Sequence, residues 1–212
     1  MTDLARPRPP SPAVPVRVAV LASGGGTNLQ ALLDALQGDA PARVTRVVTD
    51  RPNAGALERA RRAGVATAVL GNPADPAEFL AAVGDANLVV LAGYLKLVPP
   101  AAVARFRYRM INIHPALLPA FGGHGMYGKR VHAAVMASGA TQSGATVHYV
   151  DEQYDRGPII AQQRVPVLPG DTPETLAARV LEVEHRLLPA VVKELARRGL
   201  PIEPLRLESV GE

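Results

Sequence analysis

The sequence contains no cysteine among its 212 residues. Disulfide bonds and thiolate ligands for a metal are therefore excluded, and the cytoplasm is the expected location, since its reducing conditions suit such a chain. Tryptophan is also absent, and there are only five tyrosines and three phenylalanines. So few aromatic rings do not favour the stacking platform with which many proteins bind single-stranded nucleic acid.

Long apolar runs and long basic runs are missing as well. No apolar stretch approaches the roughly 20 residues of a membrane-spanning helix, so no membrane association is expected. The formal net charge is +4, but the arginines are scattered singly and in pairs, which fits a small anionic ligand and not a nucleic-acid surface. Residues 1–15 hold five prolines and no continuous apolar segment, which predicts a disordered leader and not a signal peptide.

The first half of the remaining chain alternates strands and helices. Hydrophobic residues make up 48% of the sequence, enough for a large core. Short apolar strands are predicted at residues 16–22, 44–50, 66–70 and 86–94, and helices at residues 29–36, 53–65 and 76–84. Such alternation predicts a parallel sheet with helices on both faces.

The second half changes the order of its elements. A strand at residues 109–114 and a helix at 128–139 precede two strands, 144–151 and 158–167, whose short connection predicts a hairpin and hence a mixed sheet. A long helix is predicted from Thr172 to Gly199, with Pro189 causing a kink or a break. One α/β domain is therefore expected over residues 16–199, followed by a tail at 200–212.

A glycine-rich loop, SGGGTN at residues 23–28, joins the first strand to the first helix. Glycines let the backbone approach a ligand closely, and free amides at a helix N-terminus favour phosphate. A Walker loop is excluded because no lysine follows. A dinucleotide fingerprint would need glycine at Leu29, although Asp50 at the end of the second strand suits a ribose ligand. A plain tight turn is the remaining alternative, and phosphate binding is the favoured interpretation.

Polar residues end the strand in MINIHPALLPAF, residues 110–121. Asn112 and His114 are two apart and therefore project from the same face of the strand. Asp155 lies in a later turn between two strands. A single histidine is more often part of the packing, but an amide, an imidazole and a carboxylate at one end of a sheet suit acyl transfer. No spacing typical of metal ligands occurs, so no metal is expected.

With these segments the chain resembles the phosphoribosylglycinamide formyltransferase family, the folate-dependent enzymes of purine synthesis. The resemblance runs from about Val16 to Leu195. It is carried by VLASGGGTNLQALLDA, VVLAGYLKLVPP, MINIHPALLPAF, SGATVHYVDEQYDRGPIIAQ and VPVLPGDTPETLAARVLEVEHRLLP. The resemblance implies a Rossmann-like, three-layer α/β fold in which a parallel N-terminal half continues into a mixed C-terminal sheet. It also implies formyl transfer from 10-formyltetrahydrofolate to glycinamide ribonucleotide.

The resemblance further implies roles for individual residues. Asn112 and His114 would stabilise the tetrahedral oxyanion, Asp155 would take the proton of the attacking amine through water, and His148 would support the Asp155 turn. The ribonucleotide phosphate would contact Gly25, Gly26, Thr27 and Asn28, and Glu184 would contact the glycinamide end. The folate would be held by Leu95, Lys96, Leu97, Val98, Asn112, Val150, Asp151, Glu152, Tyr154 and Asp155.

Two departures from the family pattern stand out. The usual Asp-Gly-Gly-Pro turn is here Asp155-Arg156-Gly157-Pro158, so a stiffer turn is expected. Many relatives carry an arginine for the folate tail in the segment that corresponds to residues 70–79, and this chain has none there. Lys96 or another residue is expected to take its place.

Other functions are compatible with the same motif. Formyltetrahydrofolate hydrolases carry an extra N-terminal domain, for which we expect the residues before Val16 to be too few. Methionyl-tRNA formyltransferases add a C-terminal tRNA-binding domain, for which we expect the residues after Gly199 to be too few. A non-catalytic nucleotide-binding module is the alternative from another class. The expected partners are the two small-molecule substrates alone, bound by a cytoplasmic monomer or homodimer.

Overall fold

Strands and helices alternate along most of the chain. A computed structural model describes residues 14–200 and 203–207. Its elements are β1 (Val16–Leu21), α1 (Thr27–Ala35), β2 (Ala42–Thr49), α2 (Gly55–Arg62), β3 (Ala66–Val69), α3 (Pro76–Val83), β4 (Leu88–Leu91), α4 (Pro100–Arg105), β5 (Met110–His114), α5 (Lys129–Ala137), β6 (Gln142–Tyr149), β7 (Ile159–Pro166) and α6 (Pro173–Arg198).

All seven of these strands lie in one sheet, in the order β3-β2-β1-β4-β5-β6-β7. The pairs from β3 to β5 are parallel, whereas β5 with β6 and β6 with β7 are antiparallel. The predicted fold class and the predicted hairpin are thus confirmed. The chain proceeds outward from β1 to β3 and then crosses to β4 on the other side of β1. This change of direction opens a crevice at the carboxyl ends of β1 and β4, the usual ligand position in such sheets.

Each face of the sheet packs against helices. On one face, the buried strand residues contact apolar side chains of α1, α5 and α6, including Leu29, Val135 and Leu188. On the other face, they contact α3 and α4 through residues such as Phe79 and Ala102. Because both faces are covered, the central strand β4 (LVVL) is apolar throughout and all four of its residues are buried. Among the described residues, no helix is both long enough and apolar enough to cross a bilayer.

Helix α6 begins and ends where the sequence predicted. The Thr172 side chain accepts from the backbone N–H of Thr175 and the Thr175 side chain accepts in return, which forms a capping box. Gly199 ends the helix at φ 84°, a left-handed conformation that glycine adopts without strain. Of the kink or break predicted at Pro189, the break does not occur, because the helix continues to Arg198. Pro189 is buried among apolar neighbours on α6, and their packing offsets the hydrogen bond that proline cannot donate.

Two further predictions concern the ends of the chain. The predicted leader lies outside the described residues except for Val14 and Pro15. The predicted tail is described at residues 200 and 203–207. There Leu207 is buried, and its N–H donates to the Ile160 carbonyl of β7 at 2.7 Å. Part of the predicted tail therefore packs against the edge of the sheet.

Candidate active site

A cleft of about 710 Å³ opens at the carboxyl ends of β4 and β5. This volume is typical of sites that enclose small organic ligands. Most of the predicted site residues line it, namely Asn28, Leu95, Lys96, Leu97, Val98, Asn112, His114, His148, Val150, Asp151, Tyr154, Asp155 and Glu184. The fold therefore gathers residues from widely separated parts of the chain into one cavity.

Four predicted residues lie outside this lining. Gly25, Gly26 and Thr27 sit beside the cleft, and Thr27 lines a separate groove on the outer side of α1. Glu152 is exposed, and the neighbouring Gln153 lines the cleft in its place. Of residues 151–155 in the turn after β6, only Glu152 does not line the cleft, and the resemblance alone did not reveal this exception.

Asn112 lies at the centre of the polar side chains in the cleft. It lies on β5 directly opposite His148 of β6 in the antiparallel register. Its Nδ2 is 3.0 Å from His148 Nε2 and donates to Asp155 Oδ1 at 3.3 Å. Both amide hydrogens of Asn112 therefore have acceptors, and the longer contact to Asp155 is the weaker of the two.

His148 fixes the orientation of that amide. Its Nδ1 is 2.7 Å from the Tyr149 carbonyl, which can only accept, so Nδ1 carries a hydrogen. In the neutral ring Nε2 then bears a lone pair and accepts from Asn112 Nδ2. His148 therefore contacts both Asn112 and Asp155, and its supporting role stays a prediction.

His114 is buried and has one ring nitrogen left for chemistry. Its Nε2 lies 2.8 Å from the Phe121 carbonyl, so this nitrogen is the donor. Its Nδ1 lies 3.5 Å from Asp155 Oδ2. Burial is the largest effect and lowers the pKa of His114 below its usual value, although Asp155 and the Phe121 carbonyl act in the opposite direction. Neutral His114 therefore presents an Nδ1 lone pair towards the carboxylate.

Asp155 is held from several directions. Its Oδ2 accepts from the Gly123 N–H at 2.9 Å, and its Oδ1 lies 3.5 Å from His148 Nε2. Burial alone would raise the pKa of Asp155, but the imidazoles of His148 and His114 in their protonated forms, together with the Gly123 N–H, outweigh it and lower that pKa. The residue also adopts φ 56°, a left-handed conformation that is uncommon outside glycine and is often found at functional sites.

The turn that carries Asp155 depends on Gly157. A Cβ atom at Gly157 would overlap the Tyr149 carbonyl at the end of β6. The neighbouring Arg156 is exposed and meets no such restriction. The departure from the Asp-Gly-Gly-Pro pattern therefore falls on the position of the turn that tolerates a side chain.

The glycine loop leads into α1, and the Gly25 and Gly26 amides have no hydrogen-bond partner among the described residues. Gly26 is the N-cap at φ 72° and makes no side-chain capping bond. A Cβ atom on Gly26 would lie 2.9 Å from the Cα of Ala56 on α2, so only glycine fits. Since the first amides of a helix have no partner within it, the start of α1 can bind an anion.

Two buried contacts join this loop to other parts of the cleft. Asn28 Nδ2 donates to Glu184 Oε2 at 2.6 Å, and burial raises the pKa of Glu184 to about 7. The Ser23 hydroxyl donates to Asp50 Oδ1 at 2.5 Å and accepts from the Leu95 N–H at 3.1 Å. Asp50, a possible ribose ligand in the sequence, instead uses its carboxylate within the protein.

The sequence reasoning missed several residues of the cleft. Tyr94 and His132 are buried, line the cleft and each have a polar side-chain atom with no hydrogen-bond partner among the described residues. Burial, with His114 nearby, lowers the pKa of His132. The segment from Gly123 to Arg130 also lines the cleft. Its run of glycines was the one signal in the sequence that could have indicated a loop close to a ligand.

No group of three potential metal ligands occurs in residues 14–200 and 203–207. The cleft offers instead amide, imidazole and carboxylate groups that suit proton transfer and the stabilisation of negative charge. The absence of a metal from the reaction stays a prediction.

This fold and this site define a class of acyl-transfer proteins. The family model described as formyl transferase matches residues 16–192. The chain belongs to the formyl transferase family.

Within this family, the chain is similar to phosphoribosylglycinamide formyltransferases. It is 44% identical to the Mycobacterium tuberculosis enzyme of that name, over 90% of each chain. The chloroplastic enzyme of Vigna unguiculata is also 44% identical, over 87% of this chain and 62% of its own length. This chain thus spans less than two thirds of that plant relative. The structure of glycinamide ribonucleotide transformylase 1 from Symbiobacterium toebii superposes with a TM-score of 0.80 at 44% identity, covering 91% of this chain and 92% of the other.

Proposed function

We propose that the protein transfers the formyl group of 10-formyltetrahydrofolate to the amine of glycinamide ribonucleotide, in purine synthesis. The products are formylglycinamide ribonucleotide and tetrahydrofolate. The observation that carries this proposal is the position of Asp155, whose carboxylate lies between His114 and Asn112 at the end of β5 within the cleft. The names of the relatives at 44% identity support the choice of substrates.

The Asp155–His114 pair is suited to accept one proton. The carboxylate and the Nδ1 lone pair of neutral His114 face each other at 3.5 Å. As the amine attacks the formyl carbon, a new C–N bond forms and the amine loses a proton to this pair, directly or through water. Protonated His114 next to the Asp155 carboxylate then carries a hydrogen on Nδ1, with which it can stabilise the oxyanion. The proton finally passes to the folate nitrogen as the old C–N bond breaks.

Asn112 is the second candidate donor for the oxyanion. Its contact with His148 keeps the amide nitrogen on the polar side of the site. Its contact with Asp155 is long at 3.3 Å, so a forming oxyanion can replace that acceptor. An oxyanion donor of this kind typically contributes about 3 kcal/mol to the transition state.

The ribonucleotide fits the half of the cleft near α1 and α6. Its phosphate would bind the free amides that follow Gly26, and Gly25, Thr27 and Asn28 would surround it. Glu184 would contact the glycinamide end, close to its hydrogen bond with Asn28. Support comes from the absence of a side-chain cap at the start of α1.

The folate fits the half of the cleft that is lined by the segment following β4. The predicted pterin contacts at Leu95–Val98 and at Val150, Asp151 and Tyr154 line this half. Lys96 also lines it and is our proposed partner for the folate tail, whose carboxylates would attract an ammonium group. Glu152, being exposed, is not included in this proposal.

One assay tests the proposal. The protein is mixed with both substrates, and loss of the formyl group from the folate is followed by absorbance with and without glycinamide ribonucleotide. Loss that depends on the ribonucleotide, with formylated product detected by mass spectrometry, supports the transferase. Equal loss in both mixtures indicates a hydrolase, and no loss in either indicates a binding module without this activity.

The remaining proposals rest on the sequence and the resemblance. We infer a single domain over residues 16–199, a metal-free reaction, and a cytoplasmic monomer or homodimer without nucleic-acid or membrane partners. Size-exclusion chromatography with light scattering tests the oligomeric state. The plant relative is named chloroplastic, so location differs between members of the family.

A further inference from the structure

Arg59 contacts the glycine loop without lining the cleft. It lies half-buried on α2, and its Nε donates to the Gly25 carbonyl at 2.7 Å. One of its terminal nitrogens donates to the side-chain oxygen of Gln30 on α1 at 3.1 Å. Arg59 does not line the catalytic cleft but lines the groove on the outer side of α1. It therefore joins α2, the loop and α1 without reaching the proposed reacting atoms.

The contact with Gly25 determines how the loop presents its amides. Helix α2 binds two successive loop carbonyls, since the N–H of Ala56 donates to the Gly24 carbonyl at 3.1 Å and Arg59 donates to the Gly25 carbonyl. In a trans peptide the carbonyl and the following N–H point in opposite directions. The N–H groups of Gly25 and Gly26 are therefore turned away from α2.

Arg59 also differs from the other arginines of its helix in its ionic partners. Arg61 and Arg62 both lie within 4 Å of the Glu58 carboxylate, at 3.9 and 3.6 Å. Among the described residues, no carboxylate lies within 4.0 Å of the Arg59 guanidinium. Burial, followed by the charge of Arg59, lowers the pKa of His185 nearby. A half-buried cation without a carboxylate partner thus lies directly behind the loop.

We infer that Arg59 is a positioning residue that makes the site specific for a phosphorylated amine. It orients the Gly25–Gly26 peptide so that its N–H joins the free amides of α1, and its charge favours a dianionic group in front of the loop. This inference rests on the proposed function, because it assigns the phosphate of the substrate to this loop. It concerns substrate affinity and leaves the Asp155–His114 chemistry unchanged.

The test compares three variants. Arg59→Met removes the charge and both hydrogen bonds. Arg59→Lys keeps the charge but cannot hydrogen-bond Gly25 and Gln30 at the same time. Arg62→Met is the control, because Arg62 is exposed on the same helix. KM is measured for each substrate with the other saturating. Binding of inorganic phosphate is measured by calorimetry without folate at constant ionic strength, and thermal unfolding reports folding.

For Arg59→Met we expect KM for the ribonucleotide to rise about tenfold and phosphate to bind about tenfold more weakly, as for the loss of one charged hydrogen bond. kcat and KM for the folate should stay within about twofold of the wild type. Arg59→Lys should fall between Arg59→Met and the wild type, and Arg62→Met should match the wild type. If Arg59→Met does not fold, weaker phosphate binding by folded Arg59→Lys still supports the inference.

Several results would overturn it. Phosphate affinity that is equal in Arg59→Met and Arg62→Met, or unchanged in Arg59→Lys when Arg59→Met is unfolded, removes Arg59 from the phosphate site. An equal rise in KM for both substrates shows a general structural role. If the wild type transfers no formyl group but phosphate binding still depends on Arg59, the proposed activity fails and this inference stands. If formyl transfer occurs but neither KM for the ribonucleotide nor phosphate binding depends on Arg59, only this inference fails.

Discussion

Asn28 and Glu184 are 156 residues apart in the chain and share a buried hydrogen bond of 2.6 Å. Asn28 lies in the first turn of α1, and Glu184 lies in the middle of α6. The Glu184 side chain is almost inaccessible, so its charge has little solvent to stabilise it. A single amide donor offsets only part of that cost, which is why the pKa of Glu184 is raised to about 7.

Glu184→Gln should stabilise the protein at neutral pH. Between pH 4.5 and about 7 the unfolded chain loses the Glu184 proton while the folded protein retains it, so this group lowers stability as pH rises through that range. The shift from 4.5 to about 7 corresponds to about 3 kcal/mol. Glutamine keeps an acceptor for Asn28 without the charge. Urea unfolding of the wild type and the variant at pH 5, 6, 7 and 8 measures the difference.

The matched control for this prediction is Glu182→Gln on the same helix, because Glu182 is exposed. The free energy of unfolding of Glu182→Gln should equal that of the wild type across this pH range. A difference between Glu184→Gln and the wild type that does not grow with pH would contradict the assignment of the raised pKa to Glu184.

Asp155→Asn should lower turnover by at least about two orders of magnitude, a typical effect of losing a proton acceptor. An asparagine oxygen can still accept from the Gly123 N–H, which donates to Asp155 at 2.9 Å, so the turn should remain folded. Steady-state rates give the turnover, and calorimetry with inorganic phosphate checks that the ribonucleotide half is intact. Near-normal turnover in this variant would remove Asp155 from the mechanism.

Ser23→Ala should weaken folate binding. Its hydroxyl links Asp50 to the Leu95 N–H, and Leu95 begins the segment proposed to hold the pterin. Without the hydroxyl, the Asp50 carboxylate loses a donor and the Leu95 N–H loses an acceptor. We expect this to lower the free energy of unfolding by about 1–3 kcal/mol. We expect KM for the folate to rise by roughly threefold to tenfold, since the segment loses a fixed position.

Ser143→Ala is the control for Ser23→Ala. Ser143 is equally buried, at 2% exposure for both residues, but its hydroxyl has no partner among the described residues. It should therefore change neither KM nor stability by much. If the two variants behave alike in unfolding and kinetics, the Ser23 hydroxyl does not position the folate segment.

Gly157→Ala should damage both the fold and catalysis. The new methyl group would overlap the Tyr149 carbonyl, so the turn must move and carry Asp155 with it. We expect a loss of at least about 2 kcal/mol in the free energy of unfolding and at least about a tenfold fall in turnover. Arg156→Ala, in the same turn but exposed, should change stability by less than about 0.5 kcal/mol. Similar stability and turnover in the two variants would show that the turn can accommodate a Cβ at Gly157.

The local hydrophobic pattern of the sequence was enough to predict most of the fold. The alternation of apolar strands with helical spacing predicted the parallel half, and Thr172 and Gly199 marked the ends of α6. Helix α4 was missed because its six residues give less than two turns of periodicity. The break that Pro189 allowed does not occur, because the packing of α6 against the sheet, and not local propensity, decides whether that helix continues.

The site was only partly predictable for the same reason. Asn112 and His114 could be paired because they are two residues apart on one strand. Asp50 could not be excluded as a ribose ligand, because its contact with Ser23 joins the ends of different strands. Whether the Glu152 side chain faces the cleft or the solvent depends on the conformation of the turn after β6. No periodic pattern in the sequence predicts that conformation. Contacts of this kind become visible only when the chain is folded.

The hydrogen bond between Asn28 and Glu184 also bears on when the protein can first act during its synthesis. Asn28 is synthesised well before Glu184, which belongs to α6. A nascent chain that already contains Asn112, His114 and Asp155 still lacks the second wall of the proposed ribonucleotide pocket. The pocket is completed only when α6 has been made and has packed against α1, so synthesis of the chain through α6 precedes the first productive binding of the ribonucleotide.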